Sequence, residues 1–201
     1  MRYAACMSDP AAPSDATPQG LRLNDVVLDD IGIDDASVKR AQLRNIDLTA
    51  LHLEDANLSR GRLENVDFRD GELDDADASR AKISNIKLVA MHLSDADASG
   101  ARIENARFDN AHISDCALSK ATLADLDLTQ ATLQNACLKD AHLKDVDARS
   151  VVISDADLSG AKLRGVNLSG VEITDANIDG LSIDGVRIDD LLKARKQSPP
   201  S

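Results

Sequence analysis

The chain has 201 residues, a formal net charge of −12 and almost no aromatic side chains, with no Trp, one Tyr and two Phe. This composition excludes a core of bulky aromatic residues, and the acidic balance argues against nucleic-acid or anionic-membrane partners, since both require a basic surface. No apolar run approaches the roughly 18 residues that a membrane-spanning helix needs, so we expect no membrane partner.

Residues 1–20 are rich in Ala, Pro, Ser and Asp and lack the apolar stretch of a signal peptide. We predict that they form a flexible N-terminal arm. The three cysteines, Cys6, Cys116 and Cys137, form an odd set without the spacing of metal ligands. A reducing, cytoplasmic location is therefore expected.

An apolar residue recurs at every fifth position over residues 21–190, without insertion or deletion. The pattern begins with Leu23 and Leu28 and still holds at Ile183 and Ile188, and a second small or apolar residue stands two positions before each. Period five fits neither an α-helix, which advances about 100° per residue, nor a flat strand, which alternates with period two. The chain must therefore turn once per repeat and point the two apolar residues of each repeat inward.

Longer spacings indicate how many repeats form one coil. Basic residues recur twenty residues apart, at Arg40, Arg60, Arg80 and Lys120. In the core, Ala78 stands ten residues after Phe68, and Ala98 stands ten residues before Phe108. A large side chain would fill the space that a small one leaves if ten residues reach the opposite wall of a four-sided coil. The spacing predicts twenty residues per coil, with an interior filled by side chains.

Segments 56–60 (Ala-Asn-Leu-Ser-Arg) and 156–160 (Ala-Asp-Leu-Ser-Gly) resemble the A(D/N)LXX motif of the pentapeptide-repeat family. The resemblance covers about 170 of the 201 residues. It implies an all-β fold, a right-handed quadrilateral parallel β-helix of about 8.5 coils. With about 4.8 Å between stacked strands, the rod is expected to be roughly 40 Å long. Phe is nearly absent from the central position that this family often gives it, so we expect a narrow core.

Residues 191–201 are predicted to form a C-terminal cap and tail. The segment from Asp189 to Lys196 has an acidic start and a basic end, which matches the dipole of a short helix. Leu191 and Leu192 are predicted to cover the apolar end of the last coil. A contact between two copies of the chain through these leucines is the alternative interpretation.

Aspartate accumulates at one corner of the predicted coil and just beyond it. The candidates for partner binding on this acidic edge are Asp35, Asp55, Asp75, Asp77, Asp95, Asp97, Asp115, Asp155, Asp157 and Asp175. Asp and Asn also bond their own backbone in tight turns, so turn chemistry alone is a competing explanation. The excess of Asp over Asn favours binding, since Asn would serve a turn without stacking like charges.

Three further sets of residues carry weaker signals. His52, His92 and His112 fall in one column, which we interpret as a solvated ladder and not a metal site, because no further ligand completes a tetrahedral set. Cys116 occupies an inward position and Cys137 an outward one, so we expect no disulfide between them. Without a loop insertion or a nucleophile motif, we expect no enzyme, no catalytic residue and no cofactor.

Two functions remain for an acidic rod. Several members of the resembled family are similar rods that occupy the DNA-binding saddle of DNA gyrase, a type II topoisomerase, and protect it from inhibitors. The resemblance thus implies a DNA mimic with a protein partner and a role in antibiotic resistance, although the loops that project from the coils of such members are absent here. The alternative is a general protein-interaction scaffold with an unrelated partner.

Overall fold

The computed structural model describes residues 22–29, 32–34, 40–49, 52–108 and 110–197, which form two β-sheets and one helix. Sheet 1 contains β1 (Arg22–Asp29), β3 (Gln42–Thr49), β5 (Arg62–Arg69), β7 (Lys82–Val89), β9 (Arg102–Arg107), β11 (Thr122–Asp127), β13 (His142–Lys144), β15 (Lys162–Arg164), β17 (Ser182–Ile183) and β18 (Val186–Arg187). Sheet 2 contains β2 (Gly32–Asp34), β4 (His52–Glu54), β6 (Glu72–Asp74), β8 (His92–Ser94), β10 (His112–Ser114), β12 (Thr132–Gln134), β14 (Val152–Ser154) and β16 (Glu172–Thr174). Helix α1 spans Ile188–Gln197. The predicted N-terminal arm and Asp35 lie outside the described residues.

Strands in both sheets pair in parallel with the strand twenty residues further along the chain. Leu63 lies beside Ile83 in sheet 1, and Ile113 lies beside Leu133 in sheet 2. Isolated parallel bridges at the same spacing of twenty join the coils on the two remaining sides. The described coils therefore have four sides of five residues each, which confirms the predicted quadrilateral parallel β-helix.

Each side ends in a residue with a left-handed backbone. Every fifth residue from Asp55 to Gly180 has a positive φ. Gly, Asn and Asp adopt this conformation readily, whereas Arg60, Ala90 and Gln130 do so at a cost of about 1–2 kcal/mol each. Backbone hydrogen bonds between coils hold these corners, as when the Arg60 N–H donates to the carbonyl oxygen of Ser79 at 2.9 Å. The corner conformation is thus imposed by the coil and not by residue preference alone.

The inward side chains form one continuous aliphatic core. Ala121 and Leu123, the two inward residues of one repeat, are 0% and 5% exposed. Met91 occupies a position where Ala is the commonest residue, and it is also fully buried. Gly71, one coil earlier, has no side chain to oppose it, and the Met91 sulfur accepts a hydrogen bond from the Gly71 N–H at 3.2 Å. A large residue is accommodated here by a small neighbour in the preceding coil.

The interior is not filled everywhere. A cavity of about 120 Å³ lies inside the coils, and its lining includes Phe68, Ala78, Leu88, Ala98 and Phe108. Ala78 and Ala98 lie in adjacent coils. The space that they leave would be filled only if every residue opposite them were larger than usual. Phe68 and Phe108 supply two, but Leu88 between them is no larger than its counterparts elsewhere. The prediction that side chains fill the whole rod is therefore wrong over these coils.

The C-terminal end differs from the predicted cap. Helix α1 begins at Ile188, whose N–H donates to the Leu181 carbonyl oxygen at 3.0 Å and whose side chain packs against the core. Leu191 and Leu192 are 54% and 44% exposed, so the prediction that they cover the last coil is wrong. Ile188 takes that place because the chain reverses through β17 and β18 before the helix starts.

The first turn of helix α1 has the predicted acidic residues, and one of them, Asp189, is buried. Asp189 is 6% exposed, and its Oδ2 lies 2.7 Å from Arg187 Nη2 and 3.4 Å from Lys193 Nζ. Hydrogen bonding to Arg187 holds the pKa of Asp189 well below its usual range. No helix among the described residues is long and apolar enough to cross a membrane.

The cavity predicts opposite outcomes for two alanine-to-leucine substitutions in equivalent inward positions. Ala98→Leu adds methyl groups beside the cavity, and we expect it to raise the free energy of unfolding by about 1 kcal/mol. Ala148→Leu adds the same groups where the side chain is buried and does not line the cavity, and we expect a loss of about 1–3 kcal/mol from overpacking. Urea unfolding of both variants measures these changes; equal losses would contradict the assignment of the cavity.

Candidate functional site

The acidic edge lies at the corner that follows each strand of sheet 2. Its described corner members are Asp55, Asp75, Asp95, Asp115, Asp155 and Asp175. All six are exposed, and all have a left-handed backbone with φ between 49° and 54°. Asn135 takes the place of Asp in one coil. The structure thus places the predicted carboxylates in one line along the rod, one per coil.

The charges of this line are not neutralised within the described part of the chain. None of the six corner aspartates lies within salt-bridge distance of a Lys, Arg or His there. Partial burial raises the pKa of Asp95, and the negative charges of Asp115, Asp75 and Asp74 raise it further. Stacking like charges in adjacent coils therefore has an electrostatic cost.

A second corner column has the same left-handed backbone but carries asparagine in several successive coils, which avoids the repulsion between stacked carboxylates. It runs along sheet 1, where Asp25, Asn45, Asn65, Asn85 and Asn105 lie within the strands, and it continues to Asp125 and Asp145, all with positive φ. Each Asn amide donates to the side-chain oxygen one coil earlier, at distances of 2.6–2.9 Å. We call the bonded part of this column, from Asp25 to Asn105, the amide ladder. On the acidic edge, Asn135 donates such a bond to Asp115.

The aspartates just beyond the corner have a local structural role. Asp77, Asp97 and Asp157 lie two residues after the acidic-edge corner, on the next side of the coil. One carboxylate oxygen of each accepts a hydrogen bond from the backbone N–H two residues later, at 2.8–2.9 Å. Asn57 and Asn177 do the same with their amide oxygens. Hydrogen bonding within the turn therefore explains Asp77, Asp97 and Asp157. It does not explain the corner aspartates of the acidic edge.

Basic residues pair with acids on other sides of the rod. Asp67 receives a hydrogen bond from Arg69 at 2.5 Å and lies 3.6 Å from Lys87, and these cations lower its pKa, with the hydrogen bond from Arg69 the largest cause. Arg149 pairs with Asp147 at 2.9 Å. Such pairs reduce the negative potential around Asp67 and Asp147.

Two histidines of the column lie side by side in adjacent coils. The rings of His92 and His112 have centroids 5.9 Å apart and are tilted by 58°. The described residues contain no group of three or more His, Cys, Asp or Glu side chains that could hold a metal ion. The side chain of His52 lies outside the described part of the chain.

The two described cysteines occupy different positions in their repeats. Cys116 is a buried free thiol within the core, as expected, and burial raises its pKa to about 11. Cys137 is 1% exposed but does not belong to the core cluster, and it lies in the same column as Asp157, which agrees with the predicted outward position. Its short side chain lies against the previous coil, with the sulfur 3.0 Å from the Ser119 hydroxyl oxygen.

Comparisons with known proteins agree with the repeat architecture. The family model of pentapeptide repeats matches in eight copies, over residues 33–71, 71–110, 106–145 and 153–189. Among solved structures, a trypsin-treated variant of QnrB1, a plasmid-mediated fluoroquinolone resistance protein, is 17% identical, with 90% of this chain and 98% of that chain covered and a TM-score of 0.40. HetL of the cyanobacterium Nostoc sp. strain PCC 7120, involved in regulating heterocyst differentiation, is 21% identical, with coverages of 80% and 90% and a TM-score of 0.27. No curated protein sequence matches the chain.

The electrostatic cost of the acidic edge predicts a pH-dependent gain in stability on neutralising its centre. The folded-state pKa of Asp95 is raised, so ionised Asp95 destabilises the fold at neutral pH, and this cost disappears as the pH falls through that pKa. We expect Asp95→Asn to raise the free energy of unfolding by about 0.5 kcal/mol at pH 7 and to have almost no effect near pH 3. Urea unfolding at both pH values measures the difference. The reverse change in the amide ladder, Asn85→Asp, should destabilise at pH 7; a destabilising Asp95→Asn would contradict the account.

Proposed function

Because this chain belongs to the pentapeptide repeat family, we propose that it is a non-enzymatic protein-binding rod that uses the acidic edge to engage a basic surface of its partner. The contrast between the two corner columns carries this proposal. Both columns have the same left-handed backbone, and the four asparagines of the amide ladder meet that requirement with neutral, mutually bonded side chains. A column of aspartates without salt bridges to the described residues is not needed for the turn, so binding is the better explanation of its charge.

The spacing of the carboxylates supports a partner that normally binds DNA. Adjacent coils are about 4.8 Å apart, as stacked strands are. Where Asp75 is joined by Asp77 and Asp95 by Asp97, two carboxylates per coil give about one charge per 2.4 Å along the rod. Duplex DNA carries one phosphate charge per about 1.7 Å of its axis. A protein groove that neutralises DNA phosphates with Lys and Arg is complementary to such an edge.

The partner that we propose is the DNA-binding surface of a type II topoisomerase, DNA gyrase, which the rod would occupy as a DNA mimic and protect from inhibitors. This proposal requires a cytoplasmic protein, because the partner acts on DNA there. A rod that occupies this surface would compete with DNA without being cleaved.

A gyrase supercoiling assay with and without a quinolone tests the acidic edge. We expect the protein at micromolar concentration to change supercoiling or to restore it in the presence of the drug. The triple variant Asp75→Asn, Asp95→Asn and Asp115→Asn should be at least about tenfold weaker, since each lost charge pair contributes roughly 0.5–1 kcal/mol. The matched control Asp25→Asn, Asp125→Asn and Asp145→Asn removes the same charge from the other corner column and should act like the unmodified protein.

The outcomes test the identity of the partner and the role of the acidic edge separately. No effect of the unmodified protein at micromolar concentration would exclude gyrase. If a pull-down then captures another protein through the acidic edge, and the triple variant loses it, the chain is a scaffold with an unrelated partner. Equal capture by the triple variant and its control would overturn the role of the acidic edge.

We also propose that two copies of the chain associate through the C-terminal end. Four large apolar side chains are exposed in this region, namely Ile173 at 40%, Val186 at 49%, Leu191 at 54% and Leu192 at 44%. Their clustering at one end of the rod favours an apolar contact between copies. This assigns Leu191 and Leu192 to the dimer contact and leaves Ile188 as the cap.

Light scattering coupled to size-exclusion chromatography tests the dimer. We expect the unmodified chain to have twice the mass of one chain, and Leu191→Glu with Leu192→Glu to shift it to the mass of one chain. Val152→Glu is the control, because Val152 is 40% exposed on β14 of sheet 2, one coil before the last strand of that sheet and away from helix α1 in sequence. A monomeric unmodified protein, or a dimer that survives the paired substitution, would contradict the proposal.

A further inference from the structure

The cavity inside the coils has a lining that is apolar almost without exception. Residues from Leu58 to Leu133 contribute to it, all of them Ala, Leu, Ile or Phe apart from Cys116. The rings of Phe68 and Phe108 are 4% and 5% exposed, so both lie within the core. The cavity owes its volume to Ala78 and Ala98, which replace the larger residue of this column in two adjacent coils.

The lining offers a water molecule too few hydrogen-bond partners to bind in this cavity. A buried water molecule needs about two to four hydrogen-bond partners. The Cys116 thiol is the polar group of the lining, and it already donates to the Ser114 carbonyl oxygen at 3.0 Å. The nearby backbone is bonded between coils, as when the Ala98 N–H donates to the Ala117 carbonyl oxygen at 2.8 Å. The site therefore favours an apolar occupant.

The volume defines the size of that occupant. Apolar cavities of about 150 Å³ in other proteins stay dry and bind benzene or xenon. At about 120 Å³ the present cavity is close to that size. An occupant would restore the dispersion contacts that the lining side chains lack and would meet the rings of Phe68 and Phe108. We infer that the coils contain a binding site for one small apolar molecule of about the size of benzene.

Two measurements on the full chain test this inference. In crystals pressurised with xenon, we expect an anomalous-scattering peak between Ala78 and Ala98. In solution, benzene at ten times its dissociation constant should raise the unfolding midpoint by about 3 °C. The inference would be overturned if no xenon peak appeared inside these coils and benzene caused no shift in the unfolding midpoint.

Variants then locate the site. Ala78→Leu combined with Ala98→Leu fills the cavity, and we expect both the xenon peak and the benzene shift to be lost while the circular-dichroism spectrum stays that of the β-helix. Leu88→Ala enlarges the cavity from the opposite wall, and it should retain the xenon peak and extend binding to a two-ring compound such as indole. A benzene shift that persists in the filled variant would place binding elsewhere and overturn the assignment.

Discussion

Four corners in every twenty residues are the constraint on which this molecule depends. Each corner needs a left-handed residue, and each side must lie in register with the coils before and after it. Where Asp, Asn or Gly stands at the corner, the backbone conformation costs little. Where Arg60 or Gln130 stands there, hydrogen bonds between coils offset the cost. Local preference and long-range pairing thus support the same geometry, and neither would suffice alone.

This constraint leaves the outward side chains free to differ between columns that share one backbone. The amide ladder uses its freedom for mutual hydrogen bonds, whereas the acidic edge keeps charges that raise the pKa of Asp95. The carboxylates of Asp77 and Asp97 belong to a third category, since they bond the turn itself. The acidic residues of this edge therefore differ in role: Asp77 and Asp97 add charge but are also bonded to the turn, whereas the described members of the corner column have no such bond.

Most of the fold was predictable from the sequence because every coil repeats the same local solution. The predictions failed where repetition does. The last coil has no successor, so periodicity could not show that Ile188 would displace Leu191 and Leu192 from the end of the core. The sequence predicted that each Phe fills the space left by one Ala on the opposite wall. The cavity beside Leu88 instead depends on the residues of three successive coils together. Bonds along the amide ladder were not predicted either, since a list of Asn positions does not show side-chain direction.

The coil of twenty residues also sets the unit in which such an array can grow. Inserting one pentapeptide would preserve every inward position and every left-handed corner, so the coil would still close. All residues after the insertion would nevertheless move to the next side, and the line of aspartates from Asp55 to Asp175 would break into two segments on different corners. Whole-coil duplications keep the line intact and lengthen it by one carboxylate. Evolution of this surface therefore proceeds in steps of twenty residues, although the fold itself tolerates steps of five.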